Sequence, residues 1–142
     1  MLRRVLPLLL ASLLITSAHA EPPEGWDIAG TYLGSGEGEI SATFERIEGD
    51  TFDVELTTTS GSCSGTLKGE MEFTLEGGTL KVANENYEVG SDSYYGNEEF
   101  CEVQMVFDED GFLNLEEGAG CVNFHGAACS FDGQIMNMAA AG

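Results

Sequence analysis

The sequence predicts an all-β fold, a small antiparallel meander barrel of about eight strands held by two disulfides. Three observations carry that expectation. Apolar residues alternate with acidic or hydroxyl residues along most of the chain, which is the period of a strand buried on one face. Turn residues interrupt the alternation at short intervals, with 19 glycines among 142 residues. Four cysteines, Cys63, Cys101, Cys121 and Cys129, are an even number in a small chain. One-sided burial with hairpin connections favours antiparallel pairing, and closure into a barrel removes exposed edges. A β-sandwich is the alternative.

The elements follow in order. The alternation begins at Ala29, after Pro22 and Pro23, which cannot nucleate a sheet. Gly34-Ser35-Gly36-Glu37-Gly38 reads as a β-turn; a phosphate-cradling loop would lead into a helix, whereas a strand follows here. Ile40, Ala42 and Phe44 then alternate with Ser41, Thr43 and Glu45. Glu48-Gly49-Asp50 has hairpin composition and leads to Phe52, Val54 and Leu56. Leu67 and Gly69 precede Met71, Phe73 and Leu75, and Gly77-Gly78 turns the chain into Leu80 and Val82. Residues 84–99 lack alternation and are rich in Gly, Ser, Asn and Tyr, a long excursion. Cys101, Val103, Met105 and Phe107 resume the pattern, Asp108-Glu109-Asp110-Gly111 turns it, and Leu113 and Leu115 continue. Phe131, Gly133, Ile135 and Asn137 close the series.

Residues 1–20 read as a secretory signal. Arg3 and Arg4 precede an apolar run over residues 5–15, and Ala18-His19-Ala20 supplies small residues before Glu21. The run is shorter than the roughly 18 residues of a retained anchor. No cysteine precedes Cys63, so the chain is not expected to be a lipoprotein. The expected organisation is a signal at 1–20, an extended leader at 21–28, one β domain at 29–137 and a frayed tail at 138–142. The address is periplasmic or extracellular, where paired cysteines oxidise. The expected pairing is Cys63–Cys101 with Cys121–Cys129, the second closing a short local loop. Zinc is disfavoured, because the chain has no C-x₂-C pair and His125 is the only histidine after residue 20.

Charge excludes whole classes of partner. All 25 acids lie beyond residue 20, against only Arg46, Lys68 and Lys81 (three cations to 25 acids, a net of −22). Nucleic acid and anionic membrane surfaces both require a basic patch and are ruled out as direct ligands. A cationic protein or peptide would be steered to such a surface. A saline habitat, where salt screens self-repulsion, explains the same acidity without a partner.

Candidate chemistry is sparse. Gly61-Ser62-Cys63-Ser64-Gly65 has the spacing of a nucleophile elbow, but an elbow needs a parallel α/β sheet and a downstream base. Carboxylate pairs of the glycosidase kind are too plentiful among 25 acids to single one out. The best metal candidate is calcium at Asp108, Asp110 and Glu117, which fall on ligand positions of an EF-hand loop aligned on Gly111. The apolar Val106 would occupy the first position, and an acidic hairpin turn is the plainer account. His125 reads as structural, bonding a loop carbonyl. No enzyme activity is expected.

Gly30-Thr31-Tyr32, Cys63-Ser64-Gly65, Cys101 leading to Val103-Gln104-Met105-Val106-Phe107, and the closing Cys-x₃-His-Gly-x₂-Cys-x-Phe-x-Gly together resemble a group of small exported bacterial β proteins. The resemblance spans nearly all of the chain after residue 20 and implies export, disulfides and a β fold, with no activity attached. Ser91-Asp92-Ser93-Tyr94-Tyr95-Gly96 resembles, more weakly, the inhibitory loop of small periplasmic barrels that inhibit lysozyme; it departs from their pattern at the Gly-Ala pair and in cysteine placement. Two functional classes follow. One is a non-catalytic binding or inhibitor module contacting a cationic protein or peptide through Tyr87, Ser91, Ser93, Tyr94 and Tyr95. The other is a structural or cation-associated envelope protein whose acids hold counterions or calcium.

Overall fold

The computed structural model describes residues 27–90 and 95–140. The expected signal at 1–20 and the leader as far as residue 26 lie outside the described residues. Eight strands form one sheet: β1 (Gly30–Gly36), β2 (Glu39–Glu48), β3 (Thr51–Ser60), β4 (Cys63–Glu72), β5 (Gly78–Ala83), β6 (Phe100–Phe107), β7 (Leu113–Glu117) and β8 (Gly133–Asn137). Their spatial order is β4-β3-β2-β1-β8-β7-β6-β5, every neighbouring pair antiparallel. Two four-stranded meanders are thus joined through the first and last strands into the expected barrel. It is nearly closed. β4 and β5 share no ladder, and Leu80 and Val82 instead lie against Gly69. No α-helix occurs among the described residues, only a 3-10 turn at Ala119–Asn123.

The alternation read from the sequence is the inside-outside alternation of the barrel. Ile40, Ala42, Phe44, Phe52, Val54, Leu56, Leu67, Leu80, Val103, Met105, Leu113 and Ile135 all point inward and are buried. The centre is aromatic. Phe44 and Phe73 stack at 4.3 Å between ring centroids, and Tyr32 meets Phe44 edge-on at 5.0 Å. Burying each such side chain stabilises the fold by about 2–3 kcal/mol. The Tyr32 hydroxyl donates to the carbonyl of Ile28 at 2.8 Å, which satisfies its polar end.

Three expectations need correction. Leu75 does not continue β4. The strand ends at Glu72 because Phe73 turns inward with its N–H on Asp50 O, and Thr74 and Gly77 then bond each other in a tight turn, leaving Leu75 exposed. The tail does not fray over residues 138–140. Met138 N–H donates to Thr31 O at 2.9 Å, and Asn137 receives the N–H groups of Ala139 and Ala140. The disulfides pair Cys63 with Cys129 and Cys101 with Cys121, not as expected. The 3-10 turn sets Cys121 inward beneath β6, beside Cys101 (Cα–Cα 4.4 Å). The chain after it crosses to β4, where Gly126 N–H reaches Ser64 O and His125 bridges Gly65, bringing Cys129 to Cys63. Proximity in sequence was the wrong guide, since Cys121 is bonded to β6 and Cys129 to β4.

Two outcomes are expected. Peptide mapping without reduction should return only Cys63–Cys129 and Cys101–Cys121. Replacing Cys63 and Cys129 by serine should lower the urea-unfolding free energy by about 4 kcal/mol, the loop-closure value for a separation of 66 residues. Separately, burial pushes the Tyr32 phenol from 10.0 up to about 12. Its contribution is therefore complete below pH 10 and is lost as pH rises through about 12, amounting to roughly 3 kcal/mol. Ultraviolet titration should show a late-ionising tyrosine that Tyr32→Phe removes; its persistence in that variant would refute the assignment.

Candidate functional site

The excursion between β5 and β6 is built from asparagines. Asn84, buried at its start, donates its N–H to Glu99 O at 2.8 Å and its Nδ2 to Glu98 O at 3.0 Å, while its Oδ1 accepts from Asn86 N–H. Further out, Glu88 N–H donates to Asn97 Oδ1 and Asn97 Nδ2 donates back to Glu88 O, both at 3.0 Å. A third asparagine supports the loop from outside: Asn123 Nδ2 bonds Gly96 O at 2.8 Å and Gly120 O at 3.1 Å. Gly96 takes a left-handed φ of +88° against Val122, where a side chain would collide with Val122 Cγ2. Behind Asn123 stands the Cys101–Cys121 bond. The loop is thereby braced at its base and along one flank.

What it presents is Val89, 87 % exposed, and Tyr95, 79 % exposed, with Tyr87 half-buried between them and the base. Ser91, Ser93 and Tyr94 lie outside the described residues. Residues 84–99 carry Glu85, Glu88, Asp92, Glu98 and Glu99, with no Lys or Arg.

The surrounding surface keeps no free cation among the described residues. Arg46 pairs with Asp27 at 2.7 Å, Lys68 with Glu55 at 3.1 Å and Lys81 with Glu102 at 3.9 Å. The N–H of Ala29 and then Arg46 hold the Asp27 carboxyl below its usual range. Elsewhere acids face acids. Glu45, Asp53 and Glu70 are register partners across β2, β3 and β4, all three exposed. Like charges directly opposite on a sheet are destabilising. A shallow concavity along the β4–β5 seam adds Glu70, Glu72 and Glu76 beside Thr74, Thr79 and Gln104.

No family model, curated protein or solved structure matches the chain.

The calcium candidates are not brought together. Asp108 and Asp110 belong to the β6–β7 turn, while Glu117 ends β7 at its other end and points inward. Among the described residues no three His, Cys, Asp or Glu side chains are placed to hold a metal ion. Asp108 spends both oxygens on the turn. Oδ1 accepts the N–H groups of Asp110 and Phe112, and Oδ2 accepts from Asn114 and Gln134. The Asn114 bond is the chief cause holding this carboxyl below its usual range. Asp108 is a turn organiser.

Glu117 has a different role that the sequence reading missed. Its carboxylate lies 2.9 and 3.1 Å from His125 Nε2 and accepts Phe131 N–H at 2.8 Å, with the side chains of His125 and Glu117 only 5 % and 11 % exposed. His125 Nδ1 lies 2.6 Å from Gly126 O, the loop-carbonyl contact expected of it. The pair fixes the crossing chain over Gly65, whose missing side chain makes room for His125. The signal was present in the alternation. Leu113 and Leu115 face inward, so Glu117 must too, and a buried acid requires a partner.

Asp53→Lys, which sets a cation between Glu45 and Glu70, should stabilise the protein by about 1 kcal/mol at low salt, with the gain shrinking as salt is added. Chemical denaturation at two ionic strengths measures both quantities; a gain indifferent to salt would contradict the electrostatic account.

Proposed function

We propose that this chain is a non-catalytic exported binding module whose 84–99 loop and surrounding acids engage a cationic protein or peptide. One observation carries the reading. A loop braced by three asparagines and a disulfide-held turn nonetheless leaves Val89 and Tyr95 almost wholly in water. Bracing the base of the loop lowers the entropic cost at which an exposed aromatic contact binds. The acids of the loop, Glu85, Glu88, Glu98 and Glu99, would steer a cationic partner and set its orientation.

Two disulfides suit an oxidising, exported environment, and no described helix is long and apolar enough to cross a membrane. Within that environment the periplasm is the proposed compartment. Lysozymes are the proposed class of partner to try first, since they are cationic and the Ser-Tyr segment at residues 91–95 resembles an inhibitory loop.

The test is binding of the oxidised protein to a panel of lysozymes at low and high salt, with residual lytic activity measured alongside. Binding that weakens steeply with salt is expected, and Tyr95→Ala should cost at least about tenfold in affinity with an unchanged melt. Absence of both binding and inhibition at low salt would sink the lysozyme version. Binding untouched by Tyr95→Ala would move the site off this loop.

A further inference from the structure

We infer that the outer face of β1 and β8 is the surface through which this chain pairs with a second copy of itself. β1 reads Gly-Thr-Tyr-Leu-Gly-Ser-Gly and β8 reads Gly-Gln-Ile-Met-Asn, and neither holds a charged residue. Each of the other six strands holds at least one: acids in β2, β3, β4, β6 and β7, and Lys81 in β5. The two uncharged strands are hydrogen-bonded neighbours. Their outward side chains form one ridge: Leu33 opposite Met136, Thr31 beside Met138, and Ser35 opposite Gln134. Leu33 is 45 % and Met138 48 % exposed.

Isolated apolar side chains on a surface are ordinary. Here they coincide with the absence of charge on a chain with a net charge of −20 over its full length. Two copies approaching through β2–β4, or through the 84–99 loop, set carboxylates against carboxylates, and like-charge contact rejects that geometry. The β1–β8 ridge is the face on which self-contact meets no charge on either strand. A two-fold arrangement places the same patch on both copies, so Leu33 and Met136 of one meet the ridge of the other. At its rim Asp108 is bonded by Asn114 and Gln134. On β2, Glu39 stands opposite Ser35 at one end of the ridge, while Leu33 and Thr31 are flanked by the uncharged Ser41 and Thr43. The ridge stands opposite the β4–β5 seam in strand order, so pairing leaves both 84–99 loops free. The inference does not depend on what those loops bind.

Sedimentation velocity on the oxidised chain lacking residues 1–20 tests it across a concentration series. In about 0.5 M NaCl, where the Debye length is only a few ångströms, the mass should double as concentration rises, and at low salt the dimer should weaken. Leu33→Glu and, independently, Met136→Glu should each weaken dimerisation at least about tenfold with an unchanged melting temperature. Thr59→Glu, on the exposed face of β3, should leave it as in the parent. A parent that stays monomeric at every concentration and salt overturns the proposal, as does a dimer undiminished in both ridge variants. A monomer that floats with zwitterionic lipid vesicles through Leu33 and Met136 also overturns it, assigning the ridge to lipid.

Discussion

Five residue pairs join β1 to β8, from Tyr32 opposite Asn137 to Gly36 opposite Gly133, and through them two separate meanders become one enclosed surface. Without that ladder each meander would expose a sheet face of aromatic and branched side chains to water. The contact links residues about a hundred apart, so its chain-closure entropy is of order 4 kcal/mol beyond the constant term. Other features converge on the same junction. Asn137 reaches the carbonyls of Asp27 and Ala29, and Met138 extends the pairing past the end of the strand. Cys129, just ahead of β8, is bonded to the start of β4.

Period and punctuation made most of this legible. A two-residue alternation has one structural meaning when one face must be dry, and Gly-containing turns told where it reversed. The excursion at 84–99 was visible as a loss of alternation, and the strands flanking it end and begin at its limits, Ala83 and Phe100. What the sequence could not order was the barrel mouth. There the path of residues 119–132 depends on three-dimensional partners: Glu117 for His125, Gly65 for the backbone, and Gly96 for Asn123. None of these is signalled by spacing, because each joins segments whose relative placement exists only after closure. The same gap produced the wrong cysteine pairing and assigned Glu117 to calcium when it answers a buried histidine.

Charge and fold are arranged together rather than superimposed. The few cations are absorbed locally, and Arg46 and Lys81 also cover the rings of Phe52 and Phe100. Acids dominate the outer faces of β2 to β4, and residues 84–99 carry acids and no cation, whereas the two strands that close the barrel carry no acid. Repulsion is thus kept away from the ladder whose formation is hardest, and a like-charge row such as Glu45-Asp53-Glu70 is tolerated on strands joined by short hairpins.

The cysteine connectivity carries a consequence for how the molecule is made. Cys101–Cys121 is nested inside Cys63–Cys129, so the native bonds do not follow the order of the cysteines along the chain. A chain emerging amino end first into an oxidising compartment offers Cys63 and Cys101 before the other two. An oxidant acting on thiols in order of arrival would join those two, a bond that takes Cys63 and Cys101 from their native partners, Cys129 and Cys121. Reaching the barrel then requires thiolate attack on that first bond and exchange through a mixed disulfide. For a chain oxidised in that order, thiol–disulfide exchange rather than oxidation alone would set the native pairs.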